Sequence, residues 1–252
     1  MSAQKDYFER VIQCINDIYN DETTRQNMEK AAELIADQSI KGNLIYIVGA
    51  GGHSNMIAEE CMCRAGVLAN INPMIDATNL FNGTVKSRML QRNPDYASGV
   101  LDQYNIPEGS VLIINNAYGI NALTIGLALE GKKRGLHTIA ISSPDHYNNT
   151  PADQPGRHPS KQNIGDIVDI LLDNHMPHGD AVVEVEGVDQ KIGPMSTVLG
   201  VFTLQMTLTR AVEIIKEKGG TPDIWRSINL PGGDAYNVRL FSEYGKRIKY
   251  LL

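Results

Sequence analysis

Cysteine is scarce in this chain. The three residues include the pair Cys61-Met62-Cys63, too few and too close for a disulfide framework, so a reducing cytoplasm is the expected home. Basic blocks are lacking as well: the formal net charge is −6, and without a Lys/Arg-rich face no nucleic-acid partner is expected. The first residues enter an amphipathic pattern directly, without the apolar core and cleavage site of a signal peptide. No apolar run approaches membrane-spanning length, which argues against a membrane partner. Nor is there a persuasive metal-ligand set. Cys61 and Cys63 fall on different helix faces, and Pro177 makes His175-Met176-Pro177-His178 a turn rather than one face of a helix.

What is present is alternation of strands and helices. A hydrophobic share of 42% in 252 residues suffices for one large α/β core. Residues 4–40 carry apolar side chains at helical spacing, broken near Asn20-Asp21 into two helices. A strand is expected at 43–48, then a helix from about Ser54 to Arg64, stopped by Gly66. Asn-Pro turns at 72–73 and 93–94 flank a mixed segment.

Residues 110–142 read as a β-α-β unit with a right-handed crossover, its helix stopped at Gly135. The loop 143–164 is too long for a mere connector, which points to function. An apolar strand follows from Ile164 to Leu172, an alternating one at 181–186, then a helix over 197–218 capped by Ser196 and ended by Gly219-Gly220. That late helix reads as core or dimer interface. A Pro-Gly-Gly turn and a final helix fill the tail, 221–252. The expected fold is a mainly parallel sheet covered on both faces, with ligands at the carboxyl ends of the strands.

The stretch from Asn43 to Glu60 is the richest. An apolar strand runs into Gly49-Ala50-Gly51-Gly52-His53-Ser54 and opens onto a helix. Glycines permit the sharp turn and close approach of a ligand, while Ser54 can cap the helix and leave amides aimed at an anion. Gly51, Gly52, Ser54 and Asn55 are therefore ligand-binding candidates. Gly-x-Gly-x-x-Gly is not completed, which disfavours a dinucleotide. Glu59 and Glu60, about 100° apart on the helix, are candidate general bases of which at most one faces the pocket, and Arg64 is placed to pair with Glu60. His53 and His158 are candidate proton carriers. The second strand-turn-helix, Asn115-Asn116-Ala117-Tyr118-Gly119-Ile120-Asn121, offers Asn116, Tyr118, Gly119 and Asn121 as ligand contacts, and Arg157 in the long loop is a candidate anion contact.

These features together resemble the sugar isomerase (SIS) domain family, most closely its phosphoheptose-isomerase-like branch. Gly49 to Ser54 followed by Ala58-Glu59-Glu60 is similar to that branch's first loop and catalytic glutamate region. Arg157-His158, Asp173-Asn174, Gly179-Asp180-Ala181, Gly193-Pro194-Met195-Ser196-Thr197 and the ending 237–252 extend the likeness to an uncharacterised SIS subgroup. The resemblance implies a single SIS domain over 1–252, with N-terminal helices at about 4–40 and a helical tail at about 221–252. It implies a flavodoxin-like three-layer α/β sandwich that binds a sugar phosphate.

The implied reaction is aldose-ketose isomerisation with a glutamate base and no cofactor, in a cytoplasmic homodimer or tetramer. Elimination of the kind catalysed by the related muramic-acid-phosphate etherases is an alternative, as is a sugar-phosphate-sensing regulator without turnover. Two departures support the regulator. Asn116, Tyr118 and Asn121 replace the two serines and the threonine of the family's Ser-x-Ser-Gly-x-Thr phosphate loop, and the late helix lacks the family's histidine, leaving His53 and His158 as substitutes.

Overall fold

Runs of β-branched and apolar residues assemble into a five-strand parallel sheet. In the computed structural model, which describes residues 2–76 and 83–252, the strands are β1 (Ile45–Gly49), β2 (Ile71–Pro73), β3 (Val111–Asn115), β4 (His137–Ser142) and β5 (Ile170–Asp173), ordered β2-β1-β3-β4-β5. β1 and β3 lie inside the sheet and are buried at every position, which is why they read as unbroken apolar runs. In register, Ile47 faces Ile113, Ile113 faces Ile139, and Ile139 faces Ile170.

Alternate residues of each strand feed two cores. One face carries Ile45, Ile47, Val111, Ile113, Ile139 and Ile141 and is covered by α1 (Ala3–Asn20), α2 (Glu22–Ile40), α3 (Gly52–Glu59) and α8 (Ser196–Glu217). The other carries Tyr46, Val48, Leu112, Ile114 and Ala140, covered by α5 (Tyr96–Asp102), α6 (Ala122–Lys133) and α9 (Gly233–Tyr244). This is the expected three-layer arrangement. Two short helices, α4 (Thr84–Gln91) and α7 (Pro144–Asn148), and an antiparallel hairpin of β6 (Ala181–Val183) with β7 (Ile192–Pro194) complete the fold. The break between α1 and α2 falls where Asp21 accepts the Thr24 amide at 2.6 Å, an N-cap that forces a new helix to begin.

Several local expectations are corrected. Asn72-Pro73 is not a turn but the end of β2; on an edge strand a proline costs no second ladder partner. The segment between, read only as mixed, contains α4, with 77–82 outside the described residues, and α5 follows Asn93-Pro94. Of the expected 164–172 strand only 170–172 is extended, and β5 continues to Asp173. Asn163 and Asp166 form a capping box around a 3-10 turn at Ile164–Asp166, and Ile164 is buried in the second core. Ser54 and Ser196 lie inside their helices rather than capping them; the caps are Gly51 and Met195, and neither makes a side-chain cap bond. Against the expectation from hydropathy, α8 is long and apolar enough to cross a bilayer. It packs instead against α2 and α3, burying Leu199, Leu204, Leu208, Ala211 and Ile215 in the first core.

Candidate functional site

The chain leaves β1 for the edge strand β2 through α3 on one face, and leaves β3 for β4 through α6 on the other. The loops after β1 and β3 therefore diverge, opening a crevice at the carboxyl ends of the strands, the switch point where α/β sheets bind ligands. Backbone constraints shape the first loop. A Cβ at Gly49 would lie 2.2 Å from the Ser54 backbone, and Gly51 adopts φ +133° with the Gln91 side chain packed beside it. Both positions need glycine. Within α3 the first helical bond comes from the Asn55 amide to the Gly51 carbonyl, at 2.8 Å, so the N–H groups of Gly52 and Ser54 have no acceptor within the helix and lie at its positive end.

Two clefts open beside this junction, sharing Tyr118 as a wall. The first encloses about 300 Å³ between His53, Ser54, Ile57, Asp180, Ser196 and Tyr118. Asp180, at φ +72°, turns its carboxylate onto the start of α8. Oδ1 accepts from the Met195 and Ser196 amides at 2.8 and 2.7 Å, and Oδ2 from the Ser196 hydroxyl at 3.1 Å. The Tyr118 hydroxyl donates to the same oxygen at 3.5 Å. Burial, and then the adjacent Asp180 charge, push the Tyr118 phenol above its ordinary value, so it stays a neutral donor.

The second cleft encloses about 310 Å³ and is lined by Arg88, Arg92, Asn121, His146, Gln154 and Tyr118. His146 meets Tyr118 edge to face at 4.6 Å and stacks on His178 at 4.9 Å. Its Nδ1 accepts the Gly179 amide at 3.3 Å. Burial, reinforced by His178, lowers its pKa to about 4, so the ring is neutral at neutral pH.

The residues expected from sequence divide by position. Ser54 and His53 line the first cleft, Asn121 the second, and Tyr118 both. Asn116 is spent on structure: Nδ2 donates to the Ala50 carbonyl at 2.9 Å and to Ser54 Oγ at 3.3 Å, while Oδ1 accepts the Gly119 amide at 2.9 Å. It clamps the two loops together. Gly119, at φ +66°, has no room for a Cβ, which would meet Ser142 Oγ at 2.5 Å. Asn55 is buried and donates to Glu59 Oε1 at 3.2 Å.

Glu59 is exposed, and Glu60 pairs with Arg64 at 3.2 Å; neither lines either cleft. Arg157 is not open to an anion. It makes five hydrogen bonds, to the carbonyls of Pro151, Tyr147, Thr150 and Lys161 and to Asn163 Oδ1, and so folds the long loop about itself. His158 lies in that loop with Nδ1 held by Ser160, whose amide donates to it at 3.0 Å. It lines neither cleft.

The SIS-domain family model matches residues 6–143, more than half of the chain. This chain belongs to the SIS-domain family. The SIS chain is 32% identical over 253 residues to a UPF0309 protein of Oceanobacillus iheyensis, covering 100% of both. A UPF0309 protein of Caldanaerobacter subterraneus subsp. tengcongensis is 34% identical over 248 residues, covering 97% of this chain and 98% of that one. Among solved structures, a phosphoheptose isomerase from Francisella tularensis shares the fold with a TM-score of 0.51 at 14% identity, covering 84% of this chain and 96% of that one. The family resemblance carried by residues 49–60 is thus borne out.

Among the lining residues of this SIS domain, Arg88, Arg92 and His146 were not expected from sequence, and Asp180 entered only within the family likeness of Gly179-Asp180-Ala181. Arg88 and Arg92 stand one helical turn apart, and recognising α4 would have revealed them. Asp180 and His146 carry no local signal, because their meaning comes from the hairpin and α7 folding back onto the second loop. Of the dismissed metal motifs, Cys61 is buried, its thiol pushed up to about 12 by desolvation, Cys63 is exposed, and His175 lies 3.8 Å from Asp173.

Proposed function

We propose that this SIS chain binds a phosphorylated sugar in the crevice between its first and second loops and interconverts the aldose and ketose forms. The observation that carries the reading is the juxtaposition, at the switch point, of the α3 amides with the Tyr118 loop in a member of this family. The phosphoheptose isomerase with the same fold supports the choice of ligand. In the reaction, a carboxylate removes the proton from the carbon beside the carbonyl and an enediol forms. The proton returns to the neighbouring carbon, so mass is conserved and no redox partner is consumed.

Of the two glutamates, Glu60 falls on the same helical stripe as His53 and Ile57 at 100° per residue, and both of those line the first cleft. Glu60 is therefore the preferred base once its partly exposed pair with Arg64 opens, a cost of about 1 kcal/mol or less. His53, at the cleft mouth, serves as the proton carrier for ring opening. A cytoplasmic homodimer working without a cofactor completes the reading. The test is turnover of aldose and ketose phosphates followed by NMR. Glu60→Gln is expected to abolish interconversion while binding persists and Glu59→Gln retains it; unchanged turnover in both refutes a glutamate base. Release of lactate from a lactyl-ether sugar phosphate would instead mark elimination.

A non-catalytic sensor is the second reading, and one observation favours it: Asn116 is consumed in clamping the loops and both glutamates lie outside the clefts. Saturable binding of a sugar phosphate with no product would select it.

A further inference from the structure

The crevice has two halves of opposite charge. In the first, the Asp180 carboxylate already occupies the N-terminal end of α8, satisfying the Met195 and Ser196 amides. A second anion there would meet like charge. The hydroxyls that the family's second loop presents to phosphate are absent, Asn116 is occupied by Ala50, Ser54 and Gly119, and the Arg157 guanidinium is taken up by its own loop. The second cleft is different. Among the described residues no carboxylate lines it, whereas Arg88 and Arg92 do, and neither arginine has an ion-pair or side-chain hydrogen-bond partner there. The spacing of four residues puts both guanidinium groups on one face of α4, and that helix contains no acidic residue. The same cleft is lined by Asn121, the N-cap of the 12-residue α6, whose side chain makes no cap bond. The positive end of that helix therefore faces the same space.

We infer that Arg88 and Arg92 form the phosphoryl-binding subsite, so that a ligand bound at the first loop reaches around Tyr118 and sets its phosphate in the second cleft. Guanidinium groups suit this task, since their planar forks pair with phosphate oxygens two at a time. In this arrangement Tyr118 separates the sugar's reacting end from its charged end, and the bulk that displaces the family's loop hydroxyls becomes the partition. His146, neutral and edge-on to Tyr118, buttresses that partition without adding charge. The inference rests on the crevice being a sugar-phosphate site, and it moves the charge recognition from the second loop to α4.

Calorimetric titration of the full chain with inorganic phosphate at low salt, then with a panel of sugar phosphates, tests it. Wild type is expected to bind phosphate saturably. The Arg88→Gln/Arg92→Gln double variant is expected to bind at least about tenfold more weakly, as loss of charge-assisted hydrogen bonds dictates. Lys86→Gln, on the same helix but outside the cleft, should bind as wild type does. Both arginines are exposed, so an unchanged melting temperature is expected to certify folding. Equal phosphate affinity in the double variant overturns the inference, as does the absence of saturable binding by wild type. Sugar-phosphate binding that survives undiminished in the double variant also overturns it while leaving the proposed function standing. Arginine-dependent phosphate binding with no sugar phosphate bound upholds the subsite and removes the sugar reading instead.

Discussion

Asn116 shows how one side chain can serve the site without touching a ligand. Its amide ties the first loop to the second through Ala50 and Ser54 and steadies the turn at Gly119, a set of bonds that the serine of the family's loop pattern is too short to make. Asn116→Ala should lower stability by about 1–3 kcal/mol, because the buried Ala50 carbonyl and Gly119 amide lose their partners; urea denaturation reads this. Gly119→Ala places a methyl against Ser142 and Tyr147 at a positive φ and should cost about 2–4 kcal/mol by the same measurement.

His146 supplies a pH-dependent effect. The unfolded ring takes up its proton near pH 6.5, the folded one only near 4, since burial and the stacked His178 oppose the charge more than Asp180 and Asp145 favour it. Between those values the unfolded chain binds more protons, so stability is full above about pH 6.5 and falls as pH drops toward 4, by roughly 2 kcal/mol allowing for partial hydration. His158, lowered by burial, acts in the same direction. Asp173, raised by burial, acts against it. The difference in slope between wild type and His146→Gln isolates the ring; parallel pH profiles would contradict this account.

At the scale of elements, the sequence was legible wherever a local rule decided the outcome. Asp21 between two amphipathic runs, the glycine turn after β1, and the β3-α6-β4 unit ending at Gly135 could all be read from spacing and caps. Boundaries set by distant partners could not. Ser196 resembles an N-cap in sequence, yet the α8 amides are held by Asp180, sixteen residues earlier. Ile164 reads as strand because its capping-box turn looks like an apolar run. The long loop brings His146, Gln154 and Gly156 to the second cleft, whereas Arg157, expected as an anion contact, is bonded within the loop itself. Five hydrogen bonds make that side chain the loop's internal scaffold. Arg157→Gln should therefore speed limited proteolysis within residues 149–163 several-fold while leaving phosphate affinity near that of wild type. Protection unchanged from wild type would contradict the scaffold role.

For the whole molecule, the order β2-β1-β3-β4-β5 places α3 and α6 on opposite faces and thereby creates the crevice. The alternation of apolar strands and helices foretold that architecture. The two-cleft division around Tyr118 was not legible, since α4, α7 and the β6–β7 hairpin reach it from three separate stretches of chain. The account as a whole stands on this crevice holding a sugar by its phosphate. A thermal-shift screen of paired sugars and sugar phosphates tests that most directly, because a ligand bound only by the native state raises the melting temperature in proportion to its saturation. At least one phosphorylated sugar is expected to raise it by several degrees while the matching free sugar does not. A screen in which no phosphorylated sugar shifts the transition, or in which free sugars shift it equally, would contradict the account.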